Sequence, residues 1–327
     1  MKLDKVRWGI IGCGNVTEVK SGPGLQKAEH SELVAVMRRK GDLARDYAQR
    51  HGVKRWYNDA NALINDPEVN AVYIATPPSS HLEYALKVAQ AGKAVYVEKP
   101  MALNYGECLE MLEACQAAEV PLFVAYYRRG LAKFKKIKAL IDDGAIGEVR
   151  SVNISMYGLA RPAEPGNEPW RVKPEISGGG HFVDLASHML DFLDYALGPI
   201  QAARGFASNQ ARLYRAEDIV TGTFLFSSGV HGTGTWCFSS FERRDHTEIL
   251  GSKGRLDYVT FDDSPVRLTT QTGTEEFSLP YPPHVQQPLI QSIVSELRGE
   301  GLSPSSGESA ARTSKVMDAL LAEYYQS

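Results

Sequence analysis

The chain has 327 residues, 43% hydrophobic and 23% charged, and its 36 basic and 39 acidic side chains leave a net charge of −3. That length points to about two domains of ordinary soluble composition. The near balance of charge removes the electrostatic case for nucleic acid or an anionic membrane as the main partner, and no apolar run approaches the roughly 18 residues that span a bilayer.

Met1-Lys2-Leu3-Asp4-Lys5 leads straight into a strand-like run with no signal-peptide hydrophobic region. Short continuous apolar runs follow at Val6 to Ile11, Leu33 to Met37, Ala71 to Ala75, Ala94 to Val97 and Leu122 to Ala125. Runs of this length read as parallel strands buried on both faces. Helical stretches separate them, among them Asp42 to His51, Ser80 to Ala91 and Tyr105 to Ala118. The alternation predicts an α/β fold that opens with a Rossmann-type doubly wound parallel sheet over residues 1–125.

After about residue 150 the texture changes. Val149 to Tyr157, Ile219 to Phe226, Val230 to Phe238 and Thr247 to Leu250 are β-branched or aromatic and partly alternating, with Gly, Ser and Asp turns between them. They predict an α+β domain with an open, mostly antiparallel sheet over residues 126–327. Helices are expected over Phe182 to Leu197, Gln287 to Arg298 and Glu308 to Tyr325, and a loop over Ala160 to Pro174. One face of an open sheet stays uncovered, so a homodimer or homotetramer is expected. Cys13, Cys108, Cys115 and Cys237 include no CxxC pair, and scattered thiols suit a cytoplasmic protein.

Gly9-Ile10-Ile11-Gly12-Cys13-Gly14-Asn15-Val16-Thr17 falls where the first strand turns into the first helix. Glycine allows the tight turn at Gly12 and close backbone approach to a pyrophosphate at Gly14, with Asn15 and Val16 opening the helix that faces the phosphates. The third fingerprint position holds Thr17, which is expected to relax the helix–strand contact. At the end of the second strand, Met37-Arg38-Arg39-Lys40 stands where an NAD enzyme usually places a carboxylate. Arg38 and Arg39 suit the 2′-phosphate of NADP, because guanidinium grips phosphate in a two-pronged manner. A solvated basic turn is the plainer reading, and NAD remains possible.

Glu98-Lys99-Pro100 follows the fourth strand, and Gly178-Gly179-Gly180-His181-Phe182-Val183-Asp184-Leu185-Ala186-Ser187-His188 follows much later. On a helix, Asp184, His188, Asp191 and Tyr195 form one polar stripe. Oxidation of an alcohol carbon requires removal of its hydroxyl proton, a task suited to histidine, while a carboxylate can orient the imidazole and a lysine can stabilise the developing oxyanion. From the residues alone, an exposed helix pair and a surface lysine remain open. His181 adds a polar group at helical spacing, but no Cys/His spacing supports zinc and no metal is expected. Trp170-Arg171 either positions nicotinamide or substrate or anchors a loop.

Together these motifs resemble the Gfo/Idh/MocA family of oxidoreductases, which includes glucose–fructose oxidoreductase and inositol dehydrogenase. Supporting matches are Thr76-Pro77-Pro78 with His81, Arg129, Trp170-Arg171, Glu217-Asp218 and Gly251-Ser252-Lys253-Gly254. The resemblance implies catalytic Lys99, Asp184 and His188, with Lys99 near the nicotinamide and the reacting oxygen. It adds Thr76, Pro77, His81 and Glu98 to the cofactor site and assigns Arg129, Trp170, Arg171 and His181 to the substrate. The expected activity is NADP-preferring hydride transfer between nicotinamide and a hydroxyl or carbonyl carbon of a sugar, polyol or cyclitol. An NAD-dependent polyol dehydrogenase and a non-catalytic dinucleotide-binding sugar sensor on the same fold are the alternatives.

Overall fold

The computed structural model describes residues 1–162 and 166–325. Its first sheet has six parallel strands: β1 (Val6–Ile11), β2 (Ser31–Met37), β3 (Arg55–Tyr57), β4 (Ala71–Ile74), β5 (Ala94–Val97) and β6 (Leu122–Val124). They lie in the order β3-β2-β1-β4-β5-β6. Every residue of β4 and β5 is buried, as expected of strands covered on both faces. The order reverses between β1 and β4, which makes the end of β1 the switch point where such sheets hold ligands. Strand β3 has no counterpart among the expected strands. It is a three-residue edge strand with Arg55 and Trp56 exposed, so it carries no buried apolar run.

Helices α1 (Asn15–Val19), α2 (Gly22–Lys27), α3 (Gly41–His51), α4 (Ala60–Ile64), α5 (His81–Gln90) and α6 (Tyr105–Ala117) connect these strands. The expected first helix is thus split into two short pieces, with Pro23 in the first turn of α2. Downstream are α7 (Ala132–Asp142), α8 (Pro174–Ser177), α9 (His181–Leu197), α10 (Gln287–Arg298) and α11 (Gly307–Tyr325). No helix among the described residues is long and apolar enough to cross a membrane.

The chain divides into two compact units, Met1–Leu131 with Pro282–Ala311, and Ala132–Tyr281 with Arg312–Ser327. This differs from the contiguous division 1–125 and 126–327. The apolar face of α10 packs Leu289, Ile290, Ile293 and Val294 into the cluster that holds Val6, Trp8 and Ile10 of β1. Leu3 N donates to Leu297 O at 2.8 Å, and Ser305 Oγ to Val124 O at 2.7 Å. An amphipathic helix records in its sequence that it needs a partner, not which one.

The second unit carries β7 (Val149–Leu159), β8 (Ile200–Ser208), β9 (Ile219–Phe226), β10 (His231–Ser240), β11 (Arg244–Gly251), β12 (Gly254–Tyr258), β13 (Val266–Thr270) and β14 (Gly273–Phe277). They form one sheet in the order β14-β13-β12-β11-β7-β10-β9-β8, antiparallel except for the parallel β7–β10 pair. The alternation read from β9 holds: Val220, Phe224 and Phe226 are buried, while Thr221, Thr223 and Leu225 are not. The inner face packs on α9, where the rings of Phe182 and Trp236 meet edge to face at 5.1 Å. The other face leaves Asn153, Thr223, Thr233 and His246 exposed, and Phe206 is 73% exposed. Within the expected loop from Ala160 to Pro174, residues 163–165 lie outside the described residues, and Trp170–Val172 forms a 3-10 turn.

Candidate active site

In the first unit the site begins at the end of β1. Gly12 has φ +91°, and an added Cβ would meet Thr76 Cγ2 at 2.8 Å and the Ala75 carbonyl oxygen at 3.0 Å. Glycine is therefore required there for both conformation and space. The turn is stitched to β2 by Gly12 N and Cys13 N, which donate to Met37 O at 2.9 and 3.2 Å. At Gly14 an added Cβ would meet nothing nearer than Gly12 O at 3.8 Å, so the backbone is open to a group resting on it. A tight glycine turn with an open second glycine at the switch point fits the pyrophosphate of a dinucleotide. Asn15 and Val16 open α1 beside it.

Thr17 does not relax this region. It is fully buried, its hydroxyl donates to Gly14 O at 2.8 Å, and its carbonyl accepts Tyr47 OH at 2.8 Å. A close approach occurs instead at Gly22, where a Cβ would lie 2.3 Å from Thr17 O and 2.3 Å from Tyr47 OH. Arg38, Arg39 and Lys40 are exposed just beyond β2. Burial pushes the Cys13 thiol up to about 11, and the Arg38 guanidinium is the largest opposing influence, so its charge is felt at the glycine turn.

Glu98 and Lys99 follow β5. Glu98 is buried, and its carboxylate accepts Tyr73 OH, Gln286 Nε2 at 2.8 Å and Lys99 N at 3.1 Å. Gln286 Oε1 accepts Tyr96 OH at 3.2 Å. These bonds engage both carboxylate oxygens, so the structure uses Glu98 to fix the backbone that carries Lys99. His81 is also fully buried. Its Nε2 faces Thr76 O at 2.7 Å, and its Nδ1 faces Pro100 O at 3.1 Å and Met101 O at 3.2 Å. It thereby ties the loop of Thr76 and Pro77 to the loop of Lys99, and burial lowers its pKa. Arg129 is buried and donates to Pro304 O at 2.8 Å, a tie within this unit. Sequence reasoning missed Gln286 and Tyr73, which carry no motif and join Glu98 only through the fold.

In the second unit the glycine run leads into α9. Gly180 N donates to Glu217 Oε1 at 2.8 Å, and Tyr325 OH donates to Glu217 Oε2 at 2.6 Å. Burial pushes Glu217 up to about 7, against the pull of these two donors. A Cβ on Gly180 would lie 2.6 Å from Glu217 O, so the start of α9 is pressed onto that segment. The polar stripe of α9 is largely enclosed, since His188 and Asp191 are buried and Asp184 is half-buried.

Asp184 Oδ2 pairs with Arg171 Nε at 3.3 Å, and the Arg171 guanidinium lies 4.5 Å from the centre of the Trp170 ring. Arg171 is thus bound to the helix that bears the proposed acid–base group. The His188 ring is edge-on to Phe261 at 6.0 Å. His181 lies two turns earlier beside Tyr214 and Phe238, its pKa lowered first by burial and then by Arg161. Among the described residues, no group of three or more His, Cys, Asp or Glu side chains could hold a metal.

A glycine turn at the switch point of a parallel sheet, with a lysine loop two strands away, is the layout of a dinucleotide-binding domain. Residues 6–126 match the oxidoreductase family with NAD-binding Rossmann fold, and residues 134–257 match the GFO/IDH/MocA C-terminal domain. The chain belongs to the Gfo/Idh/MocA family of oxidoreductases, as its motifs suggested. It is 42% identical over 319 residues to Oxidoreductase P35 of Formosa agariphila, covering 96% of this chain and 98% of that one. It is 29% identical over 277 residues to myo-inositol 2-dehydrogenase of Thermotoga maritima, covering 82% and 79%. The fold matches the crystal structure of aldose-aldose oxidoreductase from Caulobacter crescentus complexed with glycerol, with TM-score 0.87, 24% identity and 98% of each chain covered.

Proposed function

We propose that this enzyme transfers a hydride between NADP and a hydroxyl or carbonyl carbon of a sugar, polyol or cyclitol. The observation that carries the reading is α9, which places Asp184 and His188 four residues apart on one face, with Asp184 held by Arg171. The names of the inositol dehydrogenase and aldose oxidoreductase relatives favour the same substrate class. When bound, the nicotinamide supplies the hydride acceptor in oxidation and the donor in reduction. His188 takes the substrate hydroxyl proton, Asp184 favours its cationic form, and Lys99 donates a hydrogen bond to the oxygen as charge develops there. A screen of NADP⁺ and NADPH turnover against sugars, cyclitols and their keto forms tests the reading. Absence of turnover across that panel would favour a sensor instead.

The preference for NADP rests on Arg38 and Arg39 beyond β2 and on the reach of the Arg38 charge to the glycine turn. NADPH is expected to bind more tightly than NADH in a fluorescence titration, and Arg38→Asp to reduce or invert the difference. Equal affinities in the wild type would remove the preference.

A homo-oligomer through the exposed sheet face completes the proposal. Phe206, Thr221 and Thr235 are successive cross-strand partners on that face. Light scattering at micromolar concentration is expected to return a multiple of the 36.0 kDa chain mass. A mass of one chain, or an unchanged oligomer in Phe206→Glu, would contradict the interface.

A further inference from the structure

We infer that the second unit carries a pocket for a monosaccharide-sized substrate bearing an anionic oxygen group, a carboxylate or a sulfate, an inference that rests on reading the chain as a sugar oxidoreductase. The pocket has a volume of about 350 Å³ and forms where β7, β10 and β11 converge on the start of α9. That volume is at the low end of the roughly 300–1,000 Å³ usual for small-molecule sites, which suits one sugar ring better than a nucleotide sugar. Its apolar wall comes from Met156, Leu185, Phe238 and Phe261. Phe261 is the residue whose ring meets His188, and Leu185 follows Asp184 on α9, so the pocket borders the proposed acid–base pair.

Charge decides the ligand class. Arg161, Arg243 and Arg244 all line the pocket, together with Asp245 and Asp262. Both carboxylates accept backbone N–H groups of the loop that follows β12. Asp245 accepts Thr260 N at 3.0 Å and Phe261 N at 2.8 Å, and Asp262 Oδ1 accepts Ser264 N at 2.9 Å. Arg244 is shared with Glu242 at 3.1 Å and lies over the Tyr157 ring at 5.6 Å. Arg161 and Arg243 are exposed where they line the pocket, and the Arg161 charge reaches His181, which shares that lining. Neutral hydroxyls can accept single hydrogen bonds from these guanidinium groups but leave their charge uncompensated. A carboxylate or sulfate compensates that charge through charge-assisted, two-pronged hydrogen bonds.

The test is calorimetric titration of the NADP⁺-loaded protein with D-glucuronate, D-galacturonate and D-glucose 6-sulfate, each against its neutral parent sugar, alongside steady-state turnover. At least one anion is expected to bind about tenfold more tightly than its parent, and the carboxylate and sulfate arms show which oxyanion is preferred. Arg161→Gln and Arg243→Gln should each weaken that anion severalfold, raising KM more than they lower kcat, with affinity for the neutral parent unchanged. Circular dichroism confirms that both variants are folded. The inference is overturned if no anion outbinds its parent, or if folded variants weaken anion and parent alike. Turnover of neutral sugars without an anion preference removes the anion pocket and leaves hydride transfer standing. Tight anion binding without turnover has the opposite consequence.

Discussion

His188→Ala is expected to lower turnover by roughly 10²–10⁴-fold, the usual worth of a positioned acid–base group. Affinity for NADPH should hardly change, because the glycine turn and the basic turn belong to the other compact unit. His188 is buried, so the variant must be shown to be folded with unchanged thermal stability before loss of activity is assigned to chemistry. Asp184→Asn is the companion. It removes a negative charge one turn away and leaves the Arg171 cation unbalanced. Both changes disfavour imidazolium, so the acid limb of the pH–rate profile should move to lower pH as the rate falls. A folded His188→Ala enzyme that works at the wild-type rate would show that the proton relay is misassigned.

Lys99→Ala is expected to cost roughly 10²–10³-fold in kcat, the scale seen when one donor to a developing oxyanion is removed. Its backbone is held by Glu98, which is held in turn by Tyr73 and Gln286. Gln286→Ala should therefore lower kcat by a smaller factor without removing the reacting group, acting as a positioning change. Lys99→Arg separates charge from placement. A guanidinium retains the charge but not the compact ammonium geometry, so it should recover only part of the loss. An unchanged kcat in folded Lys99→Ala would remove the lysine from the mechanism.

The fold was legible where burial left a long enough run or period in the sequence. Val6–Ile11, Ile219–Phe226 and Gln287–Arg298 form over the expected spans, because each places apolar residues at the repeat its geometry demands. Arg55–Tyr57, Ile200–Ser208 and the strands from Gly254 to Phe277 were not anticipated. The first is a three-residue edge, and β14 at the far end of the second sheet is almost entirely exposed, so neither shows a buried face. The site was legible as motifs but not as contacts. The spacing of Asp184 and His188 marked one helix face, yet nothing in the sequence joined Arg171 to Asp184 or Gln286 to Glu98. Both pairings depend on chain segments brought together by tertiary structure. Thr17 illustrates the same limit, since an apparent departure from the glycine fingerprint is a buried hydroxyl bonded back to Gly14.

Direct detection of the transferred atom tests the central claim. NADP⁺ would be incubated with aldoses deuterated at every carbon-bound position and with myo-inositol deuterated on its ring carbons, and the reduced cofactor examined by mass spectrometry and proton NMR. Hydride transfer predicts one deuterium per reduced cofactor, on one face of C4 of the nicotinamide ring, in proportion to oxidised product. Reduced cofactor without deuterium, or oxidised sugar without reduced cofactor, would contradict the account.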